Sequence, residues 1–248
     1  MFCDLTGKRI LVTGASSGIG EATAKMIAAR GGVPYLLGRN VERLNAVKAA
    51  IVDSGGVVGG VVASDLAHQD GREAFMASLG ADSFAGVVFS AGISKPMPLH
   101  LTNESYIDET FNINVKSIFL LLASLIKKRK LDNSASVVFL SSIASVTGTK
   151  GTFAYSASKG ALVGALRALT DEFSKKLIRV NAVAPAVVRT GIWTEDQELY
   201  LKQQEESYPL GLAGADDIAA IISFLLSDQS KLIVGQNFVV DSGCTYIK

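Results

Sequence analysis

Cysteine, proline and tryptophan are scarce in this chain, with two, five and one among 248 residues. Cys3 and Cys244 stand at opposite ends and in no metal-ligand spacing, so neither a disulfide framework nor a zinc site is indicated. His68 and His100 have no partner at ligand spacing either, and no metal is expected. Neither sign of charge is in excess: 24 Lys and Arg against 23 Asp and Glu leave a formal charge of +1. A chain so balanced has no broad positive face for a polyanion, which argues against nucleic acid as its main partner. Long apolar runs are missing too. The longest predominantly apolar stretch, Ile118 to Ile126, falls well short of the roughly 20 residues that cross a bilayer, so no membrane span is expected. The first residues lack the basic start, apolar stretch and cleavage site of a secretory signal, and a reducing cytoplasm fits best.

Apolar residues are plentiful at 48%, with only 19% charged, which suits one large domain with a sizeable core. Seven short apolar runs recur along the chain: Arg9–Thr13, Val33–Leu37, Val57–Ala63, Ala85–Phe89, Ser136–Leu140, Ile178–Ala184 and Asn237–Val240. They are continuous rather than alternating, so each strand is expected to be buried on both faces. The expected fold is therefore α/β: a doubly wound, Rossmann-type, seven-stranded parallel sheet with helices on both faces, over residues 1–248. Long helices are expected from Thr102 to Lys127 and from Phe153 to Lys175. They carry more apolar residues, Phe119 to Leu122 among them, than one sheet face covers, which suggests subunit packing. The segment 190–209 breaks the alternation. It holds Trp193, Tyr200 and Tyr208 amid polar residues and reads as a substrate lid.

The first strand runs straight into Gly14-Ala15-Ser16-Ser17-Gly18-Ile19-Gly20, which opens a helix. Small residues there allow a tight turn and leave backbone N–H groups free at a helix start, an arrangement that favours a pyrophosphate and hence a dinucleotide. The spacing Gly-x-x-x-Gly-x-Gly departs from the usual Gly-x-Gly-x-x-Gly. A turn that merely needs flexible residues is the plainer explanation. Where an acidic residue would bind a ribose 2′-hydroxyl, Arg39 follows the second strand and suits a 2′-phosphate, so NADP is favoured and NAD is the alternative. A solvated arginine opening the next helix is the competing reading.

Tyr155 and Lys159 stand four apart in "YSASK" and share a helical face one turn apart. A phenol titrates near pH 10, and an ammonium within about 4–6 Å lowers that value. Tyr155 thereby becomes a usable acid or base.

Thr13 to Gly20, Ser142, "YSASK" and "NAVAP", in this order, resemble the short-chain dehydrogenase/reductase family in its single-domain form, over nearly the whole chain. The resemblance implies a catalytic set of Asn114, Ser142, Tyr155 and Lys159. It further implies coenzyme contacts from Gly14, Ser16, Ser17, Gly18, Ile19, Gly20, Arg39, Asp65, Ser90, Ala91, Gly92, Tyr155, Lys159, Pro185, Val188 and Thr190. Taken singly, Asn114 is as well explained as a helix residue bonding backbone, and Ser142 as a strand-end turn residue. Two positions depart from the family pattern: Ser90 replaces an Asn after the fourth strand, and Ala186 replaces a Gly after Pro185. Ala186 is costly only where a positive φ is required.

The implied activity is reversible hydride transfer between NADP(H) and a small-molecule carbonyl or secondary alcohol, in a homotetramer. A 3-oxoacyl carrier-protein reductase is one specific form. Lys127-Lys128-Arg129-Lys130 would then meet an acidic carrier, although cations at a helix C-terminus are the simpler account. A nicotinamide-sensing protein without turnover is the rival, since fold alone does not establish catalysis. A sugar-nucleotide epimerase or dehydratase would need a C-terminal substrate domain, for which the residues after Thr190 leave no room.

Overall fold

The computed structural model describes residues 3–190, 201–202 and 205–246. Its centre is β1 (Arg9–Thr13), paired in parallel with β2 (Val33–Gly38) on one side and β4 (Phe84–Phe89) on the other. Outward from these lie β3 (Gly60–Ala63) beside β2, then β5 (Leu131–Leu140), β6 (Arg179–Pro185) and β9 (Asn237–Val240) beyond β4. The order β3-β2-β1-β4-β5-β6-β9 is parallel throughout, the doubly wound sheet expected from the continuous runs. Successive residues of one strand enter different cores. Ile10 and Val12 pack with Val88, Val138 and Val183 on one face, while Leu11 packs with Phe89 and Phe139 on the other. Double burial leaves no polar face to alternate with, which is why the strands read as unbroken apolar runs.

The first face is covered by α1 (Gly18–Ala29), α2 (Val41–Asp53) and α7 (Ala215–Leu226). The second is covered by α3 (Gln69–Ser78), α5 (Ser117–Lys127) and α6 (Phe153–Phe173). The single long helix expected from Thr102 is divided. Helix α4 (Glu104–Phe111), capped by Asn103 accepting the Tyr106 N–H at 2.9 Å, passes through a π-helical turn at Asn112–Lys116 into α5. Hydropathy periodicity is blind to such a change in winding.

The stretch Glu104–Lys127 is long and apolar enough to cross a membrane by length and composition. Its Ile118, Leu121, Leu122 and Leu125 are instead committed to the core, and Phe119 stacks edge-on against Phe139 at 6.2 Å. Of Phe119 to Leu122, only Leu120 is exposed, at 40%. The apolar surplus read from this stretch is thus mostly consumed inside the subunit.

The strands differ from expectation in several places. β3 begins at Gly60 rather than Val57, because Gly59 crosses directly over the Tyr35 ring and any Cβ there would overlap it. β5 begins early, at Leu131, with a register shift opposite Phe84–Gly86 and a left-handed Ser134 at φ 65°. A two-stranded pair, β7 (Val188–Arg189) with β8 (Ala213–Gly214), was not anticipated. It joins the two ends of the segment expected to be a lid. Trp193 and Tyr200 lie outside the described residues. Tyr208 is buried, with its hydroxyl oxygen accepting the Val187 N–H at 3.4 Å, and Glu205 pairs with Arg189 at 3.4 Å.

Candidate active site

Strand order reverses between β1 and β4, and the glycine turn stands at the C-terminal end of β1 at that switch point. Gly14 has φ +67° and lies so close to the β4 loop that a Cβ would sit 2.9 Å from Ala91 Cα. Gly18 has φ +55°, and a Cβ on Gly20 would overlap the Gly14 carbonyl. Conformation therefore demands glycine at 14 and 18, and close approach demands it at 20. The turn is tied to its neighbours by Ala15 N–H to Leu37 O at 3.2 Å and by Ala91 N–H to Thr13 Oγ1 at 3.2 Å.

A cavity of about 440 Å³ opens beside this turn. Gly14, Ser16, Ser17, Gly18 and Ile19 form one wall. Arg39, Asp65, Ser90, Ala91, Gly92 and Thr190 also line it. The combination of a bare helix start, a guanidinium and a tight glycine cradle fits a phosphorylated dinucleotide. Asp65 accepts the Ala67 N–H through Oδ1 at 3.0 Å, and its Oδ2 lies 4.0 Å from His68 Nε2. Arg43 also lines the cavity, although the sequence reading passed over it.

Of the four residues singled out for catalysis, Asn114 and Lys159 approach Gly92, while Tyr155 shares the first turns of α6 with Lys159. Ser142 ends β5 and caps a short 3-10 turn by accepting the Ala144 N–H at 3.2 Å. Its hydroxyl also acts on the half-buried Tyr155 phenol, favouring the ionised form. Lys159, almost fully buried, donates to the Leu140 carbonyl at 2.7 Å and holds its ammonium 5.7 Å from the Tyr155 ring centre. Asn114, in the π-helical turn, is buried and clamped. Its Nδ2 donates to Ile93 O at 2.9 Å and to Ser158 Oγ at 3.0 Å, while its Oδ1 accepts the Ile93 N–H at 2.8 Å. Ser158 in turn donates to the Tyr155 carbonyl at 2.7 Å. This serine, which the sequence reading also missed, links the Asn114 turn to the start of α6.

Protonation follows burial more than pairing. Desolvation pushes the Tyr155 phenol above its ordinary value of 10, and the Ser142 hydroxyl pulls the other way. The depression expected from Lys159 is not what dominates this arrangement. Lys159 is itself desolvated, which brings its ammonium down to about 8. The phenol thus holds its proton at neutrality, beside a cation of weakened hold.

The remaining expected positions are spread along β6 and its exit. Pro185 O accepts from Ser142 Oγ at 3.5 Å, and Val188 is buried in β7. Asn181, at the opposite end of β6, is a structural clamp: it donates to Ile233 O at 3.0 Å and accepts the Gln236 N–H at 3.0 Å. Ala186 keeps a negative φ while its N–H bonds Val240 O at 3.1 Å, so alanine introduces no backbone strain there.

Residues 14–245 match the family model described as Enoyl-(Acyl carrier protein) reductase. A 3-oxoacyl-[acyl-carrier-protein] reductase of Rickettsia felis is 31% identical over 242 residues, covering 97% of this chain and 98% of that protein. Glucose 1-dehydrogenase of Gluconobacter oxydans is 33% identical over 250 residues, covering 96% and 92%. Among solved structures, L-sorbose reductase of Gluconobacter frateurii, complexed with NADPH and L-sorbose, superimposes with a TM-score of 0.92 at 25% identity, covering 100% of both chains. A dehydrogenase/reductase of Sinorhizobium meliloti does so at 0.87 and 29%, covering 98% of this chain and 97% of that one. With the doubly wound sheet, the glycine turn at its switch point and these full-length likenesses, the chain belongs to the short-chain dehydrogenase/reductase family of oxidoreductases.

Proposed function

We propose that the protein is an NADP-dependent oxidoreductase that interconverts a small-molecule carbonyl and the corresponding secondary alcohol, with Tyr155 as its proton donor and acceptor. The observation carrying this reading is that Lys159, which holds its ammonium 5.7 Å from the Tyr155 ring centre, also approaches Gly92, a residue lining the cavity that holds Arg39. The NADPH complex of the sorbose reductase supports the coenzyme.

When bound, the coenzyme supplies the hydride; the chain supplies position and protons. Backbone N–H groups of the Gly14–Gly20 turn hold the pyrophosphate, Arg39 the 2′-phosphate and Asp65 the adenine end. Ser90, Ala91, Gly92, Pro185, Val188 and Thr190 would hold the nicotinamide end. Ser142 hydrogen-bonds the substrate oxygen. Tyr155, whose hold on its proton is tightened by burial, hands that proton to the substrate oxygen during reduction. Lys159 spends one donor on Leu140 O and keeps others for the ribose, while its charge stabilises the phenolate left behind. Asn114 holds the β4 loop against α6, and the free lone pair of its Oδ1 serves the water that restores the proton. Residues 1–248 act as one domain, with 190–209 as the lid.

Tyr155→Phe is the test. It keeps the half-buried ring and removes the acid, so NADPH oxidation with a panel of ketones, 3-oxoacyl thioesters and keto-sugars falls by about 10²–10⁴-fold. Near wild-type rates would end this mechanism, and a wild type inert on every substrate would favour a nicotinamide-sensing protein instead.

The Rickettsia relative favours 3-oxoacyl thioesters within that panel. The basic run Lys127–Lys130 contributes little to this choice. It stands at the far end of α5, whose first residue, Ser117, lines the cavity, and Lys130 is engaged with the Gly80 carbonyl. A homotetramer is the assembly we propose, with Ile107 and Leu120 the large exposed apolar residues of α4 and α5; light scattering tests it.

A further inference from the structure

We infer that Arg43 is a second reader of the coenzyme 2′-phosphate, so that two guanidinium groups, not Arg39 alone, set the preference for NADP over NAD. The inference rests on the coenzyme proposed above.

β2 ends at Gly38, Arg39 follows, and Asn40 caps α2 by accepting the Arg43 N–H at 2.7 Å. That cap fixes Arg43 in the first turn, and helical side chains lean toward their own N-terminus. The lean carries the Arg43 guanidinium back toward Arg39 and the glycine turn, and both arginines line the same cavity. The two walls are close here: a Cβ on Gly38 would sit 3.3 Å from Ser16 Oγ. A smaller recess of about 390 Å³ shares Ser16, Ser17, Gly18 and Arg43 with the main cavity and continues to Glu21 and Val47. Arg43 therefore stands between the two spaces, free to turn into either.

Charge around the pair points to an anion. Both arginines are exposed, and among the described residues neither forms an ion pair. The acid that shares the smaller recess, Glu21, is already held by Lys25 at 2.6 Å. Two uncompensated guanidinium groups on one cavity repel each other until a multivalent anion separates them. A phosphate monoester brings about −1.5 to −2 charges and three acceptor oxygens, more than one planar fork satisfies. A ribose 2′-hydroxyl offers neither charge nor paired oxygens.

The experiment is calorimetric binding of 2′,5′-ADP and 5′-AMP to the full chain, for wild type, Arg39→Ala, Arg43→Ala and Arg43→Lys. Wild type is expected to favour 2′,5′-ADP. Arg43→Ala loses about 10–100-fold for 2′,5′-ADP and nothing for 5′-AMP, with an unchanged melting temperature. Arg43→Lys recovers part of the loss, since it keeps the charge without the fork. If wild type discriminates and Arg43→Ala discriminates equally well, the inference about Arg43 is overturned while the NADP reading stands. Equal loss for both ligands also overturns it, by assigning Arg43 to the phosphate they share. A wild type that binds both alike removes the NADP reading and this inference together.

Discussion

The Lys159 ammonium and the Asn114 carboxamide oxygen converge on one backbone position: a Cβ placed on Gly92 would lie 3.2 Å from each. Gly92 has no left-handed φ to explain it, so glycine is needed there for space alone. The bare backbone keeps two polar side chains from different helices within reach of the same wall of the cavity.

Gly92→Ala should therefore harm activity more than folding. The added methyl displaces Lys159 or Asn114 by a few tenths of an ångström, at a stability cost of about 1–2 kcal/mol. Turnover with NADPH is expected to fall about tenfold or more. Steady-state kinetics beside a urea melt separates the two effects, and a variant with wild-type kcat would refute the role given to this spacing.

Lys159 makes stability depend on pH in a defined direction. Burial lowers its folded-state value from 10.5 to about 8, so between these values the unfolded chain binds the extra proton. Stability contributed at this site is lowest below pH 8 and rises as pH climbs toward 10.5. Relative to Lys159→Met, which cannot titrate, wild type should gain about 2 kcal/mol between pH 7.5 and 9.5. Parallel denaturant melts at the two pH values measure the difference, and a pH-independent gap would contradict the burial argument.

Asn114 carries three hydrogen bonds inside the fold, to both backbone groups of Ile93 and to Ser158. Asn114→Ala strands the Ile93 N–H and C=O and is expected to cost about 2–4 kcal/mol, against about 1–2 for Ser158→Ala. Because the two residues share a bond, the double variant should cost less than the sum. Strict additivity in a double-mutant cycle would show that the link between them contributes nothing.

Two glycine substitutions should behave in opposite ways. Gly20→Ala drives a methyl into the Gly14 carbonyl and is expected to abolish 5′-AMP binding while lowering the melting temperature. Gly55→Ala, at φ +81° with nothing within 4 Å, pays only about 1–2 kcal/mol of backbone strain and leaves binding intact. Calorimetry and thermal melts on both variants test the contrast; intact nucleotide binding in Gly20→Ala would count against the close-packed turn.

Much of the fold was legible because its signals are local. An apolar run such as Arg9–Thr13 requires burial on two sides, and a glycine turn placed directly after it announces a helix start. Ser142, Tyr155 and Lys159 could be named from a motif and its spacing. Arg43 and Ser158 could not, since an arginine in a first turn and a serine in mid-helix are ordinary until something faces them. The protonation of Tyr155 was also out of reach. Spacing along a helix predicts which charge is near, whereas the extent of desolvation depends on what the rest of the chain stacks around the ring.

The chain's own order of residues decided the alternation of strand and helix, the double burial of the sheet and the identity of the glycine cradle, because each follows from hydrophobic pattern or backbone stereochemistry within a few residues. Tertiary packing alone decided the π-helical turn at Asn112–Lys116, the clamp from Asn114 to Ile93 and Ser158, and the lowered hold of Lys159 on its proton. Those depend on groups brought together from distant parts of the sequence, and the free energy of a buried polar atom is fixed by its partners rather than by its neighbours in the chain.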